Sequence, residues 1–319
     1  MHTLIFDRRQ IRLAYENNCL LIRQPELPPR TIPLNHIRKI VCLHSVELST
    51  ALLGQLWQRG IDFVVLNNRY SERSLAIFPN QQLQVARRCQ QYAWQQHSWF
   101  ALRLAKSLCL KRIEANQKLL AKAPSTTTHY LQAAAQSINQ CQHIKTLRGI
   151  EGAVQRHIFA YWRQQLPAHL GFEKRQRRPA TDPVNALLSL TYTLTHHEAV
   201  RQCTAAGLDP QLGFYHRMVS GRHSLACDIM EPIRPYCEAW VMQQFMSNTF
   251  NRSYFSINKQ TGAAMLGKKG RSLFYQLIEL EMPSWSEKLQ QLAQWVCQEI
   301  DEYNEVEHHA HSTMVFDSI

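Results

Sequence analysis

The chain has 319 residues, 45% of them hydrophobic, and its 36 Lys and Arg residues exceed its 24 Asp and Glu residues to give a net charge of +12. This length and composition can supply a hydrophobic core, and they argue against a disordered protein. Nine scattered cysteines without a Cys-x-x-Cys pair argue against a disulfide framework or zinc ribbon, and no segment reaches the ~20 apolar residues of a membrane span, so we expect a reduced, soluble, cytoplasmic protein.

The first 80 residues have the pattern of a small β-rich domain. Short runs rich in β-branched and aromatic residues, such as IRLAY (11–15) and CLLIRQ (19–24), are separated by turn signals such as the pair Asn17 and Asn18. One helix-like segment, residues 47–60, interrupts them. We therefore predict a β-rich domain over residues 1–80.

The remaining residues, 81–319, have helical periodicity. Residues 84–121 contain no Gly or Pro and repeat apolar residues every three or four positions. A second long helix is predicted to open at a capping residue followed by Pro183 and to close at Gly207. The predicted fold class is α+β, with the small N-terminal β-rich domain followed by a larger all-helical catalytic domain that ends in an acidic tail.

The basic charge is concentrated in one part of the chain. Residues 81–180 carry an excess of 13 positive charges, whereas the last 21 residues hold six acids and no Lys or Arg. A polyanion would bind the basic middle of the chain, and the tail would lie away from it.

Glu151 lies in a segment where a carboxylate needs a partner. Residues 150, 154, 158 and 162 form an apolar stripe on one predicted helix, and Glu151 is next to that stripe. Gly149 and Gly152 flank it, and each weakens a helix by ~1 kcal/mol. Glycines at these positions favour the close approach of another backbone or of a ligand.

A second group of candidate residues lies between residues 213 and 235. Asp228 and Glu231 are three residues apart, which puts both on one helical face, and His216 precedes them. A divalent cation would relieve the repulsion between the two acids, and carboxylate and imidazole ligands suit Mn²⁺ or Mg²⁺. The spacing leaves an alternative open, in which a buried glutamate pairs with Arg148 or Arg234 and the histidine is a core residue.

Four motifs in a fixed order favour the metal interpretation. They are LRGIEG (147–152), RPATDPVNALLSLTYTL (178–194), GLDPQLGFYH (207–216) and GRHSLACDIMEPIRP (221–235). In this order, and with the β-rich part before the helical part, the chain resembles the CRISPR-associated integrase family, metal-dependent DNases that insert new spacers into CRISPR arrays.

The resemblance implies roles for particular residues. Glu151, His216 and Glu231 match the positions that bind the catalytic metal, Mn²⁺ or Mg²⁺, in the family. Asp228 matches the second acid of the last motif and is expected to belong to the catalytic group. Asn185 matches the asparagine of the DPVNALLS helix and is expected to hold the metal ligands in position without binding the metal itself.

The resemblance also implies a reaction and partners. The 3′-hydroxyl of a foreign DNA fragment would attack a phosphodiester at the edge of a CRISPR repeat directly, without a covalent enzyme intermediate. The partners would be double-stranded DNA, a second copy of the chain bound through the β-rich domain, and a small ferredoxin-like companion adaptation protein.

Basic side chains near these motifs are the candidate contacts to DNA phosphates, which position DNA without selecting a base sequence. They are Arg175, Arg177, Arg178, Arg222, Lys268, Lys269 and Arg271. Two histidine clusters, at 196–197 and 308–311, lack matching ligands at metal-site spacing and are interpreted as incidental.

Two rival functions remain open from the residues. One is a metal-dependent nuclease that cuts branched DNA during repair. The other is a non-catalytic basic DNA-binding scaffold, in which the three acids would be structural.

Overall fold

A computed structural model describes residues 2–66, 74–77 and 84–315. The chain divides into two compact units, Met1–Leu83 and Gln84–Ile319. The predicted boundary between residues 80 and 81 lies outside the described residues. Each unit is described by itself.

The first unit contains two four-stranded sheets. One has the strand order β1-β5-β7-β8, in which the first three strands are parallel and β8 is antiparallel to β7. The other has the order β4-β3-β2-β6, with antiparallel pairing except between β2 and β6. The strands are β1 (His2–Phe6), β2 (Arg12–Glu16), β3 (Cys19–Gln24), β4 (Leu27–Pro33), β5 (Ile37–Cys42), β6 (Glu47–Leu48), β7 (Asp62–Val65) and β8 (Leu75–Ile77).

Local sequence explains these elements. Asn17 and Asn18, with φ of 47° and 62°, occupy the left-handed turn that joins β2 to β3, a conformation that asparagine tolerates better than most residues. Strand β5 is buried at five of its six positions, as expected for an inner strand of a parallel sheet. The helix α1 (Thr50–Gln58) begins at Ser49, whose side chain accepts a hydrogen bond from the Leu52 N–H.

The second unit is mostly helical, which confirms the predicted α+β class. A short antiparallel pair, β9 (Phe255–Ile257) with β10 (Ala264–Leu266), interrupts the helices, so the expectation of an all-helical domain omitted this element. The helices are α2 (Val85–Gln96), α3 (Ser98–Leu119), α4 (Ser125–Gln140), α5 (Ile144–Gln165), α6 (Pro183–Ala205), α7 (Ser224–Met230), α8 (Arg234–Met246) and α9 (Lys268–Val315).

The signals at the ends of α6 are confirmed. The Asp182 carboxylate accepts a hydrogen bond of 2.9 Å from the Asn185 N–H, Pro183 is the first helical residue, and Gly207 takes a left-handed φ of 78° after the last turn. The periodicity over 84–121 corresponds to two helices, because His97 has an extended backbone between α2 and α3.

A hydrophobic core holds α3, α4 and α5 together. Its buried members include Cys109 and Ile113 of α3, Ile138 of α4, and Val154 of α5, and they pack against Tyr215 from the loop before α7. Helix α6 packs against α7, α8 and α9. Within the described ranges, no helix combines the length and the apolar character that crossing a bilayer requires.

Candidate active site

Three elements of the helical unit bring the predicted ligands together. Glu151 projects from the middle of α5, His216 lies within the loop between α6 and α7, and Glu231 begins a 3₁₀ turn at the end of α7. The side chains of Glu151 and His216 are 23% and 19% exposed, whereas that of Glu231 is 4% exposed. The group is therefore buried on one side and open to solvent on the other.

Asp228 fixes the loop that carries His216. One carboxylate oxygen, Oδ2, accepts the backbone N–H groups of Phe214 at 2.6 Å and Tyr215 at 2.9 Å. The other oxygen, Oδ1, accepts the His216 N–H at 2.9 Å and lies 2.7 Å from Nδ1 of the His216 ring. Because a carboxylate can only accept, Nδ1 donates its proton to Asp228 in this contact, and Nε2 faces Glu231.

Only glycine fits at position 213 in this loop. A Cβ added at Gly213 would lie 2.8 Å from Asp228 Oδ2 and 2.8 Å from the backbone and side chain of Ser224. Carbon atoms do not approach so closely, so a side chain here would push the loop away from α7. The glycine of GFYH thus allows the approach that Asp228 needs.

Glu231 is the most enclosed of the three predicted ligands. Its Oε1 lies 3.6 Å from His216 Nε2 and 2.8 Å from Arg234 Nε, and its Oε2 contacts Arg112 Nη1. Burial alone would raise the pKa of Glu231, but Arg234, Arg112 and His216 outweigh burial and hold that pKa at about 2. Glu231 is therefore ionised at neutral pH.

Arg112, on α3, was not singled out by sequence. Its side chain is 4% exposed, and its Nη1 contacts Glu151 Oε1 as well as Glu231 Oε2. Burial disfavours its charged form, but Glu231, Glu151 and Glu238 outweigh burial and raise the pKa of Arg112 above its ordinary value. A charged residue one turn after Leu108, on the buried stripe of α3, is the signal that could have found it.

Glu238, on α8, is a second buried carboxylate that sequence did not single out. It lies 3.8 Å from Arg112 Nη2 and accepts hydrogen bonds from Gln155 at 3.0 Å and from the Tyr192 hydroxyl at 2.6 Å. Burial raises the pKa of Glu238, against the opposing effect of Arg112 and these donors.

The donor chemistry of Glu151, His216 and Glu231 fits a hard divalent cation. Among the residues described, no cluster of three or more His, Cys, Asp or Glu side chains is spaced to hold a metal as it stands. Arg112 lies between the two glutamates instead. The structure therefore has features of both the metal interpretation and the ion-pair interpretation. Glu231 pairs with Arg234, as the ion-pair interpretation expects. Arg148, the other arginine considered for that pair, donates to the Tyr215 carbonyl.

The surroundings of Gly149 and Gly152 exclude one explanation for these glycines. In the described part of the chain, a Cβ added at Gly149 would meet no neighbouring atom within 4 Å, and one added at Gly152 would meet only the Arg156 side chain, at 3.7 Å. Among the described residues, no second backbone packs against these two glycines, and the approach of a ligand there stays a prediction.

The hydrogen bonds of Asn185 go to residues other than the predicted ligands, and its expected role in supporting those ligands stays a prediction. Its amide NH₂ donates to Asp182 at 2.6 Å and to the Lys174 carbonyl at 2.8 Å. Its Oδ1 accepts from the Gln176 N–H and from Arg175 Nη1, both at 2.9 Å. Asn185 therefore ties the basic segment 173–178 to the start of α6.

The predicted phosphate contacts fall into two groups. Arg175 is held by Asn185 and by the Ser189 hydroxyl at 3.0 Å and lies over the Tyr192 ring, so its guanidinium serves the fold rather than a free surface. Arg222 forms a hydrogen bond with the Cys227 side chain, and Arg271 donates one to the Leu266 carbonyl at 2.9 Å. The exposed members are Arg177, Arg178, Lys268 and Lys269.

His196, in the first histidine cluster, packs against residues at the start of α7. His196 lies 5.6 Å from His223 between ring centres, and its Nδ1 lies 4.0 Å from Cys227 Sγ. Burial lowers the pKa of His196 from 6.5 to about 3. The side chains of residues 308–311, the second cluster, lie outside the description.

Comparisons with known proteins agree with this arrangement. The model of the family described as CRISPR associated protein Cas1 matches residues 4–280. A CRISPR-associated endonuclease Cas1 from Thermodesulfovibrio yellowstonii is 30% identical over 94% of this chain and 99% of its own. Another from Chlorobaculum tepidum is 28% identical over 91% of this chain and 90% of its own.

Solved structures share the fold. A CAS1 protein from Thermotoga maritima superposes with a TM-score of 0.82 at 18% identity, covering 94% of this chain and 97% of that one. A casposase bound to its integration product gives 0.80 at 17% identity over 93% of this chain and 91% of that one. Taken with the family match over most of its length, these findings show that the chain belongs to the Cas1 family of CRISPR-associated endonucleases.

Proposed function

We propose that this Cas1-family endonuclease is an integrase that inserts foreign DNA fragments as new spacers into CRISPR arrays. The observation that carries the proposal is the convergence of Glu151, His216 and Glu231, with His216 Nε2 3.6 Å from Glu231 Oε1. These residues come from three separate elements, and they meet where the surface opens to solvent.

Glu151, His216 Nε2 and Glu231 would hold Mn²⁺ or Mg²⁺. Nucleases of this family are generally metal-dependent. When bound, the cation supplies Lewis-acid polarisation of a phosphoryl oxygen and stabilises charge on the leaving oxygen. The open side at Glu151 and His216 gives DNA access to it.

Asp228 acts as a positioning residue. Its four hydrogen bonds go to the loop and ring of residues 214–216, so no lone pair is aimed at the open side of the site. It keeps His216 in the tautomer that presents Nε2 and fixes the ring direction.

The reaction forms one bond and breaks one bond at phosphorus. The 3′-hydroxyl of the incoming fragment gives up its proton to water, and its oxygen bonds to the phosphorus of a phosphodiester at the repeat edge. The bond from that phosphorus to the 3′-oxygen of the target strand breaks, and this oxygen takes up a proton from water. No Ser, Tyr or Cys nucleophile is needed, because a DNA hydroxyl is the attacking group.

Exposed basic side chains would position the duplex. Arg177, Arg178, Lys268 and Lys269 are exposed and would contact phosphates. Arg222 is half-buried in the same loop as His216 and would lie close to the scissile strand.

The partners follow the family. A structural neighbour with a TM-score of 0.80 is a Cas6-RT-Cas1–Cas2 complex, of which this chain covers 35% at 20% identity. We expect the β-rich domain of this chain to form a homodimer, and a small ferredoxin-like companion to bridge two such dimers in the cytoplasm.

The proposal is tested by strand transfer into a supercoiled plasmid that carries a CRISPR array. Wild type, His216→Ala and the control His169→Ala are compared with Mn²⁺ or Mg²⁺, with and without the companion protein. His169 is exposed and lies outside the site. We expect insertion at repeat edges by wild type and His169→Ala, and none by His216→Ala.

Two results would replace the proposal. Cutting of branched DNA without insertion by wild type would assign the chain to repair. DNA binding without any bond cleavage would make it a scaffold.

A further inference from the structure

Arg112 places a cationic nitrogen between two carboxylates. Its Nη1 contacts both Glu151 Oε1 and Glu231 Oε2, although the two glutamates come from different elements. A point where two carboxylate oxygens converge is also where a divalent cation would be held. Arg112 and the cation therefore compete for the same oxygens.

Arg112 has a second carboxylate within reach. Its Nη2 lies 3.8 Å from Glu238 Oε1, longer than a hydrogen bond, and within the described residues its Nε has no hydrogen-bond partner. Glu238 is held in place by Gln155 and Tyr192. The guanidinium thus has unused donors and a fixed, negatively charged group on its other side.

The charges of the buried cluster are not balanced by arginine alone. Three carboxylates, those of Glu151, Glu231 and Glu238, contact two guanidinium groups, Arg112 and Arg234. One divalent cation would more than compensate the one remaining negative charge. It would also repel Arg112 from its position between the glutamates, because like charges a few Å apart in a buried site repel strongly.

We infer that Arg112 is a built-in counter-ion that holds Glu151 and Glu231 together in the metal-free protein and turns to Glu238 when a divalent cation binds. Glu238 is then the residue that receives the guanidinium. Without it, Arg112 would lose a buried partner on metal binding, which is costly. The inference rests on the metal site of the proposed function and adds a residue that limits its affinity.

The test measures Mn²⁺ binding by titration calorimetry and the melting temperature in EDTA for wild type, Arg112→Gln and Glu238→Gln. The control is Glu198→Gln, a buried glutamate of α6 that pairs with Arg201 and Ser286. We expect Arg112→Gln to melt lower in EDTA but to bind Mn²⁺ at least tenfold more tightly. Glu238→Gln is expected to bind Mn²⁺ about tenfold more weakly, and Glu198→Gln to bind it as wild type does.

The outcomes separate this inference from the function on which it rests. If wild type binds no Mn²⁺, the metal site itself is wrong. If wild type binds Mn²⁺ and Glu238→Gln binds it equally well, Arg112 does not move to Glu238 and the inference fails, even where Arg112→Gln does not fold.

Discussion

At the scale of single residues, Asp228 should contribute more to stability than its partner His216. Asp228 is fully buried and accepts four hydrogen bonds, three of them from backbone N–H groups. His216 is partly exposed, and removing its ring leaves those three bonds in place. Replacing Asp228 should therefore mainly lower stability, whereas replacing His216 should mainly lower activity.

We predict that Asp228→Asn loses about 3 kcal/mol or more of unfolding free energy, because an amide offers one acceptor oxygen and turns an NH₂ toward N–H donors. His216→Ala should lose about 1 kcal/mol and still bind DNA. Urea denaturation of both variants measures this. Wild-type stability in Asp228→Asn would contradict the hydrogen-bond assignment.

The sequence predicted some site residues and missed others for a physical reason. Glu151, His216 and Glu231 lie in motifs with characteristic spacing. The position of Arg112 on the buried stripe of α3 indicates that it is buried, but nothing local indicates that it faces an acid 39 residues later. Only the packing of α3 on α5 and on the 3₁₀ turn makes that pair.

At the scale of elements, the basic segment 173–178 combines structural and exposed arginines. Asn185 and Ser189 hold Arg175 against α6. Arg177 and Arg178 are exposed. The sequence could not distinguish them, since all three lie in one run of like charges.

Replacing Arg175 by alanine should affect folding, whereas replacing Arg177 and Arg178 should affect DNA binding. We predict that Arg177→Ala with Arg178→Ala weakens DNA binding and lowers the salt slope of binding by about 2, at an unchanged melting temperature. Arg175→Ala should cost about 1–3 kcal/mol of stability through unpaired donors and acceptors. Thermal melts and fluorescence anisotropy test both, and a normal melting temperature for Arg175→Ala would refute its structural role.

The α6–α7 contact contains a titratable group that is neutral when folded. His196 faces His197, His223 and Cys227, with Arg222 and Arg234 nearby, and burial lowers its pKa to about 3. The unfolded chain takes up a proton near the ordinary value of 6.5. The unfolded state therefore binds more protons between these values, and stability present above pH 6.5 is lost as the pH falls toward 3.

We predict that His196 lowers the free energy of unfolding by up to about 1.4 kcal/mol for each unit that the pH falls between these two pKa values. His196→Asn should flatten the decline, whereas His169→Asn, at an exposed site, should not. Urea denaturation from pH 7 to pH 4 gives the slopes. Equal slopes in wild type and His196→Asn would show that this contact is not acid-sensitive.

Element boundaries were predictable where capping residues mark them. Asp182, Pro183 and Gly207 define α6 locally, and the structure has the helix between them. The break at His97 carries no such signal, and the turn glycine between β9 and β10, Gly262 with a φ of 69°, does not by itself predict strands. The break has no Gly or Pro, and β9 and β10 are three-residue strands that pair only in the folded unit.

At the scale of the whole molecule, the net charge of +12 governs encounter with DNA. We predict strong salt dependence and weak sequence dependence of duplex binding. With six or more phosphate contacts, affinity should fall by about 10³ between 50 and 200 mM salt. Anisotropy titrations over this range measure it, and a flat affinity would rule out a phosphate-binding face.

The central claim is that Glu151, His216 and Glu231 hold the catalytic metal. It is tested most directly by a crystal structure of the protein grown with Mn²⁺, with diffraction measured at the manganese absorption edge. The account predicts an anomalous peak bounded by Glu151, His216 Nε2 and Glu231, with the Arg112 guanidinium turned to Glu238. A peak elsewhere, or Arg112 still between the two glutamates with no peak beside them, would contradict it.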